Sequence, residues 1–297
     1  MKIIDLMQGT QAWHDFRKKT VGSSDAPIVL NISPYKTPRE LWLEKTDGAI
    51  IADEKKDDSK EFIFSKGHDV EKKIRKDYFE YTGFEMNPVV IIHPKIPYLS
   101  ASLDGYHPAK GILEAKLVGN EYLGNVKKGS IKPDHFAQMQ HQMMCADDID
   151  LVDYFCHNGK DNGVLISVKK DNEFIKKMED IEHEFHRLVT ERIIPAMTAR
   201  DYLVPTMAEE IKLFEELRDT KELADNAKIK FETLKEKILE KYTHPKIYCA
   251  GVKIIETESE GRVDYKKIPE IANVDLEKYR GKKIKSWRVL ISNKEPM

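Results

Sequence analysis

The chain is poor in the residues that build disulfide frameworks and metal–thiolate sites. Its 297 residues include three cysteines, Cys145, Cys156 and Cys249, which are too few and too scattered for a disulfide scaffold or a zinc knuckle. An iron–sulfur cluster needs four thiolates, so that class of site is excluded as well. No apolar run approaches the roughly 18 residues that cross a bilayer. We therefore expect a soluble protein of the reducing cytoplasm, without membrane contact.

An excess of positive charge is also missing. Lys and Arg number 49 against 51 Asp and Glu, which gives a formal net charge of -2. Any contact with nucleic acid must therefore use local basic patches. The clearest patch lies near the C-terminus and consists of Lys278, Tyr279, Arg280, Lys282, Lys283, Lys285, Trp287 and Arg288. Such charge runs are more often solvated surface, so this patch alone does not indicate DNA binding.

Glycine and proline are absent from Met207 to Tyr242. Apolar residues recur there at mostly three- and four-residue steps, which predicts a long amphipathic helix or a helical hairpin broken near Asp219 and Thr220. The tail beyond it predicts a β-hairpin around Gly261, with strands over Lys246–Glu256 and Ile284–Ile291. We expect a first domain over residues 1–198 and a C-terminal helical and β-hairpin extension over residues 199–297.

The first domain has the pattern of an α/β fold. Alternating or continuous apolar runs predict a mixed central sheet of about five strands: Val89–His93, Tyr98–Leu103, Ile112–Leu117, Leu151–His157 and Val164–Lys169. Helical patterns flank them: Thr10–Lys19, Ser24–Leu30, Thr37–Lys45, Phe64–Thr82, Asp134–Ala146 and Asp171–Met197. The helix Asp134–Ala146 lies between the third and fourth of these strands, which predicts a crossover connection.

Two carboxylates and a lysine form the most informative pattern in the chain. Alternation along Ile112–Leu117 places Glu114 and Lys116 on one face of a strand. Asp104 is followed by Gly105, a turn signal, and a hairpin there would bring its carboxylate beside Glu114. Two hard oxygen ligands would then hold a divalent cation, with the lysine facing an attacking water or a scissile phosphate.

The same residues also fit an ordinary surface hairpin with outward-facing charges. An isolated match of this kind is only a hypothesis, because a short motif carries no structural context. The surrounding sequence supplies that context.

Five elements in order resemble the PD-(D/E)xK nuclease superfamily, and within it the phage lambda exonuclease group of YqaJ-type viral recombinases. The elements are Trp13 to Arg17 with Val21 to Ala26, Gly67 to Glu71, Ser102 to Gly105, Leu113 to Lys116, and Ala137 to Gln140. The resemblance spans about residues 8–170. It implies an α/β nuclease core in which Asp104, Glu114 and the carbonyl of Ala115 bind Mg²⁺, with Mn²⁺ as a substitute.

The resemblance also assigns residues that no spacing rule would select. It implies that Glu71 contacts the metal from a long helix, that Gln138 contributes to the catalytic site, and that Arg17 and Ser24 bind a terminal 5′ phosphate. Ser23 is the alternative to Ser24, because two serines are adjacent.

The implied function is a Mg²⁺-dependent 5′ to 3′ exonuclease that acts on double-stranded DNA ends. The family further implies a ring-shaped homotrimer and a single-strand annealing protein as partner in phage-type recombination. Two alternatives remain open: an endonuclease that cuts branched or single-stranded DNA, and a non-catalytic DNA-binding scaffold.

Overall fold

The computed structural model describes residues 1–46, 72–159, 163–257 and 274. The chain divides into two compact units, one over Met1–Leu203 and one beginning at Val204. The residues of the C-terminal basic patch and the predicted strand Ile284–Ile291 lie outside the described ranges.

The first unit contains seven helices, counted within the described ranges. They are α1 (Gln11–Lys19), α2 (Ala26–Val29), α3 (Pro38–Lys45), α4 (72–82), α5 (Asn120–Lys127), α6 (Pro133–Ala146) and α7 (Asn172–Thr190). Side chains cap several of them. Thr10 accepts a hydrogen bond from the backbone N–H of Trp13, and Thr37 forms a capping box with Glu40. These caps fix the N-termini of α1 and α3 one residue inside the predicted starts.

The sheet of this unit has seven strands. They are β1 (Lys2–Ile4), β2 (Val21–Gly22), β3 (Asn87–Ile92), β4 (Leu99–His107), β5 (Gly111–Leu117), β6 (Leu151–His157) and β7 (Val164–Lys169). The spatial order is β1-β3-β4-β5-β6-β7, with β2 beside β4. The pairs β2–β4 and β5–β6 are parallel and the other pairs are antiparallel. The predicted mixed α/β sheet is confirmed, with two short strands, β1 and β2, that the sequence pattern did not reveal.

The core of this unit lies against the central strands. One cluster of buried side chains joins β3, β4 and β6 to α6 and α7, and a smaller one joins α4 to β5 and β6. The connection from β5 to β6 contains both α5 and α6, so β5 and β6 run parallel as predicted. As a result α6 packs near β5, which carries the Glu114 and Lys116 pair.

The second unit contains one long helix, α8 (Ala208–Lys241), followed by a two-stranded sheet of β8 (Lys246–Cys249) and β9 (Val252–Ile255). The continuous helix excludes the alternative break near Asp219. The hairpin turns at Ala250 and Gly251, inside the segment Lys246–Glu256 that was predicted as a single strand. Within the described ranges, no helix combines the length and apolar character needed to cross a bilayer.

The predicted turn at Asp104 and Gly105 is wrong. Both residues lie inside β4, which continues to His107, and the chain enters β5 at Gly111, whose φ of +100° favours glycine. Gly105 serves packing instead, because a Cβ atom there would lie 2.6 Å from Cβ of Met86. The predicted helix Asp171–Met197 also ends early, at Thr190.

Replacement of Gly105 by alanine tests this close approach. We expect Gly105→Ala to lower the free energy of unfolding by about 1–3 kcal/mol, because the added methyl group meets Met86 and the side chain of Leu113. The matched control is Gly124→Ala in α5, where nothing lies within 4 Å of an added Cβ and a gain of roughly 0.5–1 kcal/mol is expected. Urea unfolding of both variants measures the difference. Equal stability of the two variants would contradict the packing role of Gly105.

Candidate active site

The acidic pair lies where β4 and β5 separate. The ladder between these strands ends at the pair Gly105 and Leu113, so the next residues, Asp104 and Glu114, leave the paired region together. Oδ2 of Asp104 accepts a hydrogen bond of 2.9 Å from the backbone N–H of Ala115. This bond holds the Asp104 carboxylate against β5 and brings the two acids together, as the sequence predicted, without the predicted turn.

Glu114 is a fully buried carboxylate with two specific partners. Its side chain has no exposed surface, and Oε1 lies 2.5 Å from Nζ of Lys116, which is 25% exposed. Oε2 accepts a hydrogen bond from Nε2 of Gln142. Burial of a carboxylate is costly unless it is paired, so Lys116 and Gln142 compensate this charge. Glu114 is therefore not an outward-facing charge of an ordinary surface hairpin.

Helix α6 contributes a second contact to the lysine. Nζ of Lys116 donates to Oε1 of Gln138 at 3.1 Å, so the predicted lysine, glutamate and glutamine meet. Gln142 was not among the predicted residues, although its position one turn after Gln138 is a signal that could have found it. The neighbouring Gln140 stabilises the fold instead. It is buried, donates to the carbonyl of Lys169 and accepts from the N–H at the start of α7.

Helix α4 supports the site from the other side. Nη1 of Arg75 donates to the backbone carbonyl of Asp104 at 3.1 Å. Arg75 was not among the predicted residues, although it lies one helical turn after Glu71 in the sequence. Glu71, the predicted third carboxylate, lies outside the described residues. Among the residues that the structure describes, no group of three or more His, Cys, Asp or Glu side chains is arranged to hold a metal ion.

The donors present still fit a hard divalent cation. Asp104 and Glu114 offer carboxylate oxygens within one short stretch of sheet, and the carbonyl of Ala115 lies between Glu114 and Lys116 in the sequence. The amide oxygen of Gln142 is buried and has no hydrogen-bond donor in the described part of the chain. Oxygen donors of this kind suit Mg²⁺ and Mn²⁺ and not the softer metals.

Arg17 and Ser24 form a second polar site. Nη2 of Arg17 donates to Oγ of Ser24 at 2.7 Å, and its guanidinium lies over the ring of Trp13, 4.7 Å from the centroid. Ser24 is exposed, whereas Ser23 is 4% exposed. Exposure therefore favours Ser24 over Ser23 as the serine that a ligand can reach.

The helix that was predicted to begin at Ser24 is shorter than expected. Helix α2 has four residues and begins at Ala26, so Ser24 precedes its N-cap, Asp25. Free N–H groups at a helix start therefore do not lie at Ser24 to bind an anion. The guanidinium fork of Arg17 and the Ser24 hydroxyl remain as donors.

A buried ion pair holds this second site in place. Oδ2 of Asp25 lies 2.8 Å from Nζ of Lys45 and accepts a hydrogen bond from the N–H of Gly22. Lys45 also donates to the carbonyls of Arg17 and Thr20. Burial by itself would raise the pKa of Asp25, but the cations of Lys45 and Arg17 outweigh it and lower that pKa below its usual value.

One side-chain hydrogen bond connects the two sites. Nε1 of Trp13 donates to Oγ of Ser102 at 2.9 Å. Ser102 is two residues before Asp104 on β4, so both side chains are on one face of the sheet, roughly 7 Å apart along the strand. The Trp13 ring that stacks on Arg17 is thereby fixed close to the acidic pair.

A tyrosine and a cysteine of the next strand lie beside Glu114 and Lys116. Tyr154 and Cys156 of β6 stand in register with Glu114 and Lys116. The hydroxyl of Tyr154 is hydrogen-bonded to Nδ1 of His135 on α6. Burial and the nearby Lys116 ammonium lower the pKa of His135 to about 4, so this imidazole is neutral at physiological pH.

The Asp25 and Lys45 pair predicts how stability depends on pH. Asp25→Asn should lower the free energy of unfolding by about 3 kcal/mol at pH 7, because the Lys45 side chain, 6% exposed, loses its counter-charge. The folded pKa is depressed, so the wild-type advantage is complete above the usual value of 3.8 and is lost as pH falls through the folded pKa. Urea unfolding between pH 3 and pH 7 measures this, with Asp150→Asn as the exposed control. An advantage that already shrinks between pH 7 and pH 5 would contradict the depressed pKa.

Comparison with known proteins finds similarity to one family. Residues 12–148 match the YqaJ-like viral recombinase domain. A curated relative, the uncharacterized protein YqaJ of Bacillus subtilis (strain 168), is 28% identical over 177 residues, which cover 58% of this chain and 54% of that protein. The match thus spans about half the length of this relative.

Solved structures share the fold. LHK-Exo, an alkaline exonuclease from Laribacter hongkongensis, is 22% identical, and the alignment covers 62% of this chain and 94% of that chain with a TM-score of 0.51. The structure of LHK-Exo in complex with dAMP gives a TM-score of 0.50. The fold, the ordered motifs and the family match agree, and residues 12–148 of this chain are similar to the YqaJ-like viral recombinase domain.

Proposed function

We propose that the chain is a Mg²⁺-dependent exonuclease that degrades linear double-stranded DNA from 5′ ends and leaves 3′ single strands. The observation that carries the proposal is the convergence of Glu114, Lys116 and Gln138 beside Asp104, where β4 and β5 separate. Phosphodiester hydrolysis requires an oriented water and positive charge at the phosphate, and these four side chains suit both requirements.

The two carboxylates would hold the metal together with the carbonyl of Ala115 and with Glu71. Bound Mg²⁺ would supply positive charge to the scissile phosphate and the leaving 3′ oxygen; Mn²⁺ would substitute because it accepts the same oxygen donors. The hydrogen bond from Ala115 N–H fixes one oxygen of Asp104, so the orientation of this carboxylate is set before any ligand binds. Arg75 adds to this by holding the backbone of the same residue.

Lys116 and Gln138 would act on the water and the phosphate. The lysine side chain is buried except for about a quarter of its surface, so its ammonium is accessible at one side while Glu114 and Gln138 fix its position. An ammonium held in this way can donate to a phosphate oxygen or orient the attacking water. Gln138 can accept from the same water, and its own contact with Lys116 limits its rotamers.

The exonuclease assignment rests on the second site. A terminal 5′ phosphate is a dianion that matches the fork of Arg17 and the exposed hydroxyl of Ser24. The Trp13 to Ser102 hydrogen bond keeps this pair near the acidic pair, so a strand end bound at Arg17 would place an early phosphodiester near Asp104. A site that binds a phosphate monoester selects ends over continuous strands.

The relatives support the same reaction class. The solved structure that shares this fold is named an alkaline exonuclease, and it has been seen in complex with dAMP, a nucleotide monophosphate. The family name, viral recombinase, supports a role in phage-type recombination. We propose a single-strand annealing protein as the partner in that process. We further propose a ring-shaped homotrimer, which would keep the enzyme on its DNA.

Two other functions make different predictions. An endonuclease of the same superfamily would use the acidic pair and lysine but would not need the Arg17 and Ser24 site. A non-catalytic scaffold would be expected to lack one of the motif residues, yet Asp104, Glu114 and Lys116 are all present. The exonuclease is preferred because the chain has both the acidic pair beside Lys116 and the Arg17 and Ser24 site.

A substrate panel with Asp104→Ala tests the reaction. Wild-type protein with Mg²⁺ should digest linear 5′-phosphorylated duplex progressively and leave closed circular duplex intact. Asp104→Ala should lose at least about 100-fold in rate, because the central ligand is removed. Gel analysis of the products over time measures both.

The exposed residue Asp150 supplies the control, and Asp150→Ala should digest DNA at the wild-type rate. Cleavage of the closed circle would replace the exonuclease by the endonuclease. If the wild-type protein cleaves neither linear duplex, closed circle nor single strand with Mg²⁺ or with Mn²⁺, the result would favour the scaffold. Circular dichroism of Asp104→Ala checks that the fold is retained.

Arg17→Ala tests the end-binding site separately from the chemistry. We expect the preference for a 5′-phosphorylated over a 5′-hydroxyl end to fall by about tenfold, since the charge-assisted fork is lost, while cleavage of hydroxyl ends changes little. The neighbouring exposed cation Lys19 gives the matched control Lys19→Ala. The ratio of initial rates on the two substrates is the measurement, and an unchanged ratio would remove Arg17 from the phosphate site.

A further inference from the structure

Helix α8 has a surface that the described residues of its own chain do not bury. All 34 of its residues are described, and none of them is buried. Large apolar side chains are strongly exposed along it, including Leu213 at 66%, Phe231 at 63% and Leu234 at 51%. Helical stability in proteins comes mainly from packing of an apolar face, so a helix of about 50 Å with no buried residue calls for a partner.

A set of apolar residues in α8 follows a heptad repeat, while the exposed Ile211, Phe214, Leu223, Ile229 and Leu239 lie outside its core positions. Counting from Glu210 as an a position, the core positions a and d are Glu210, Leu213, Leu217, Thr220, Ala224, Ala227, Phe231, Leu234, Ile238 and Lys241. Seven of these ten are apolar, and the three exceptions are Thr220 and the two outermost positions. A repeat of 3.5 residues sustained over more than four heptads is typical of a left-handed coiled coil.

The charges beside this seam change sign along the helix. The g positions are Glu209, Glu216, Leu223, Lys230 and Lys237, acidic in the first half and basic in the second. In an antiparallel pair, g positions face g positions of the partner, so Glu209 meets Lys237 and Glu216 meets Lys230 on both sides of a central Leu223 pair. All four contacts between opposite charges are favourable.

A parallel pair would be less favourable. In a parallel pair, each g position faces the following e position of the other helix. Lys230 would then lie opposite Lys235 at two places, and this repulsion would offset the two favourable contacts between Glu216 and Lys221. In the antiparallel pair only Lys221 meets its own copy. Asp225 already neutralises Lys221 along the helix, and Glu232 pairs with Lys235.

The g-position charges are among those that α8 leaves for a partner. None of the ion pairs found in the described ranges uses Glu209, Glu216, Lys230 or Lys237. The antiparallel register also determines which core residues face each other. Leu213 lies opposite Phe231, Leu217 opposite Ala227, and Thr220 opposite Ala224, so the small residues meet near the two-fold axis.

From these observations we propose that α8 forms an antiparallel two-stranded coiled coil with α8 of a second copy of this chain. The a and d positions form an apolar seam, which does not suit nucleic acid as a partner. The charge at the g positions changes sign along the helix, so the surface is complementary to a second copy of itself. The proposal is independent of the nuclease proposal. A ring of three protomers with this contact would associate further through its α8 helices.

Paired charge reversals in the full-length protein test the contact and its direction. The basic variant carries Glu209→Lys and Glu216→Lys, and the acidic variant carries Lys230→Glu and Lys237→Glu. Each variant places like charges opposite each other in its own antiparallel pair. Light scattering after size exclusion should show each with half the wild-type mass, and a 1:1 mixture should recover the wild-type mass.

The matched control changes the same charges on the outer face of the helix. Glu215→Lys with Glu222→Lys, both at f positions, should keep the wild-type mass. Wild-type mass in both reversed variants, or a mixture that stays at half mass, would overturn the proposal. The mass of the reversed variants also shows how many protomers stay associated without the α8 contact. Three protomers are expected if the first unit forms the proposed ring.

Cysteine cross-linking covers the case in which a reversed variant fails to fold. In a Cys249→Ser background, Leu223→Cys should give a disulfide-linked dimer on mild oxidation, because the two copies of residue 223 face each other across the axis. Glu222→Cys, one residue away on the outer face, should cross-link at least tenfold less. Equal cross-linking of the two variants would overturn the antiparallel register.

Discussion

The burial of the Glu114 carboxylate is the constraint on which the active-site geometry depends. A fully buried carboxylate is tolerated only when opposite charge and hydrogen bonds compensate it, and here Lys116 and Gln142 do so. Lys116 comes from the same strand two residues on, and Gln142 comes from α6, which packs beside it. The pairing therefore fixes the lysine and the helix together. A divalent cation at this position would take over the compensation of the carboxylate, which gives the lysine freedom to act on a phosphate.

The second site obeys the same rule at another place in the fold. Asp25 is 3% exposed, and Lys45 and Arg17 balance it, so the guanidinium of Arg17 is held between a buried acid and an exposed serine. Trp13 then connects this cluster to β4 through Ser102. Both polar sites thus rest on buried ion pairs, and β4 carries the residues that set the distance between them.

Much of the sheet and the acidic motif follow from the sequence, because β5, β6 and β7 have clear apolar patterns and Glu114 and Lys116 alternate along a strand. Other parts carry no such signal. Strands β1 and β2 have three and two residues, too few for a periodicity, and α5 contains Gly124, which weakens a helical pattern. The contacts of Gln142, Arg75 and Lys45 join distant segments, so local pattern cannot reveal them. Glycine is common in turns and also at close-packed positions, and the sequence pattern does not distinguish the two. Gly105 was therefore assigned to a turn although it serves close packing.

We propose that Asp104 and Glu114 hold a divalent cation beside Lys116. A crystal grown with Mn²⁺ tests it most directly through the anomalous signal of that metal. The geometry predicts a peak between the two carboxylates, with metal–oxygen distances of about 2.0–2.6 Å, and predicts its loss in Glu114→Gln. A peak only at other positions, or none in crystals soaked at millimolar Mn²⁺, would contradict the assignment of this site.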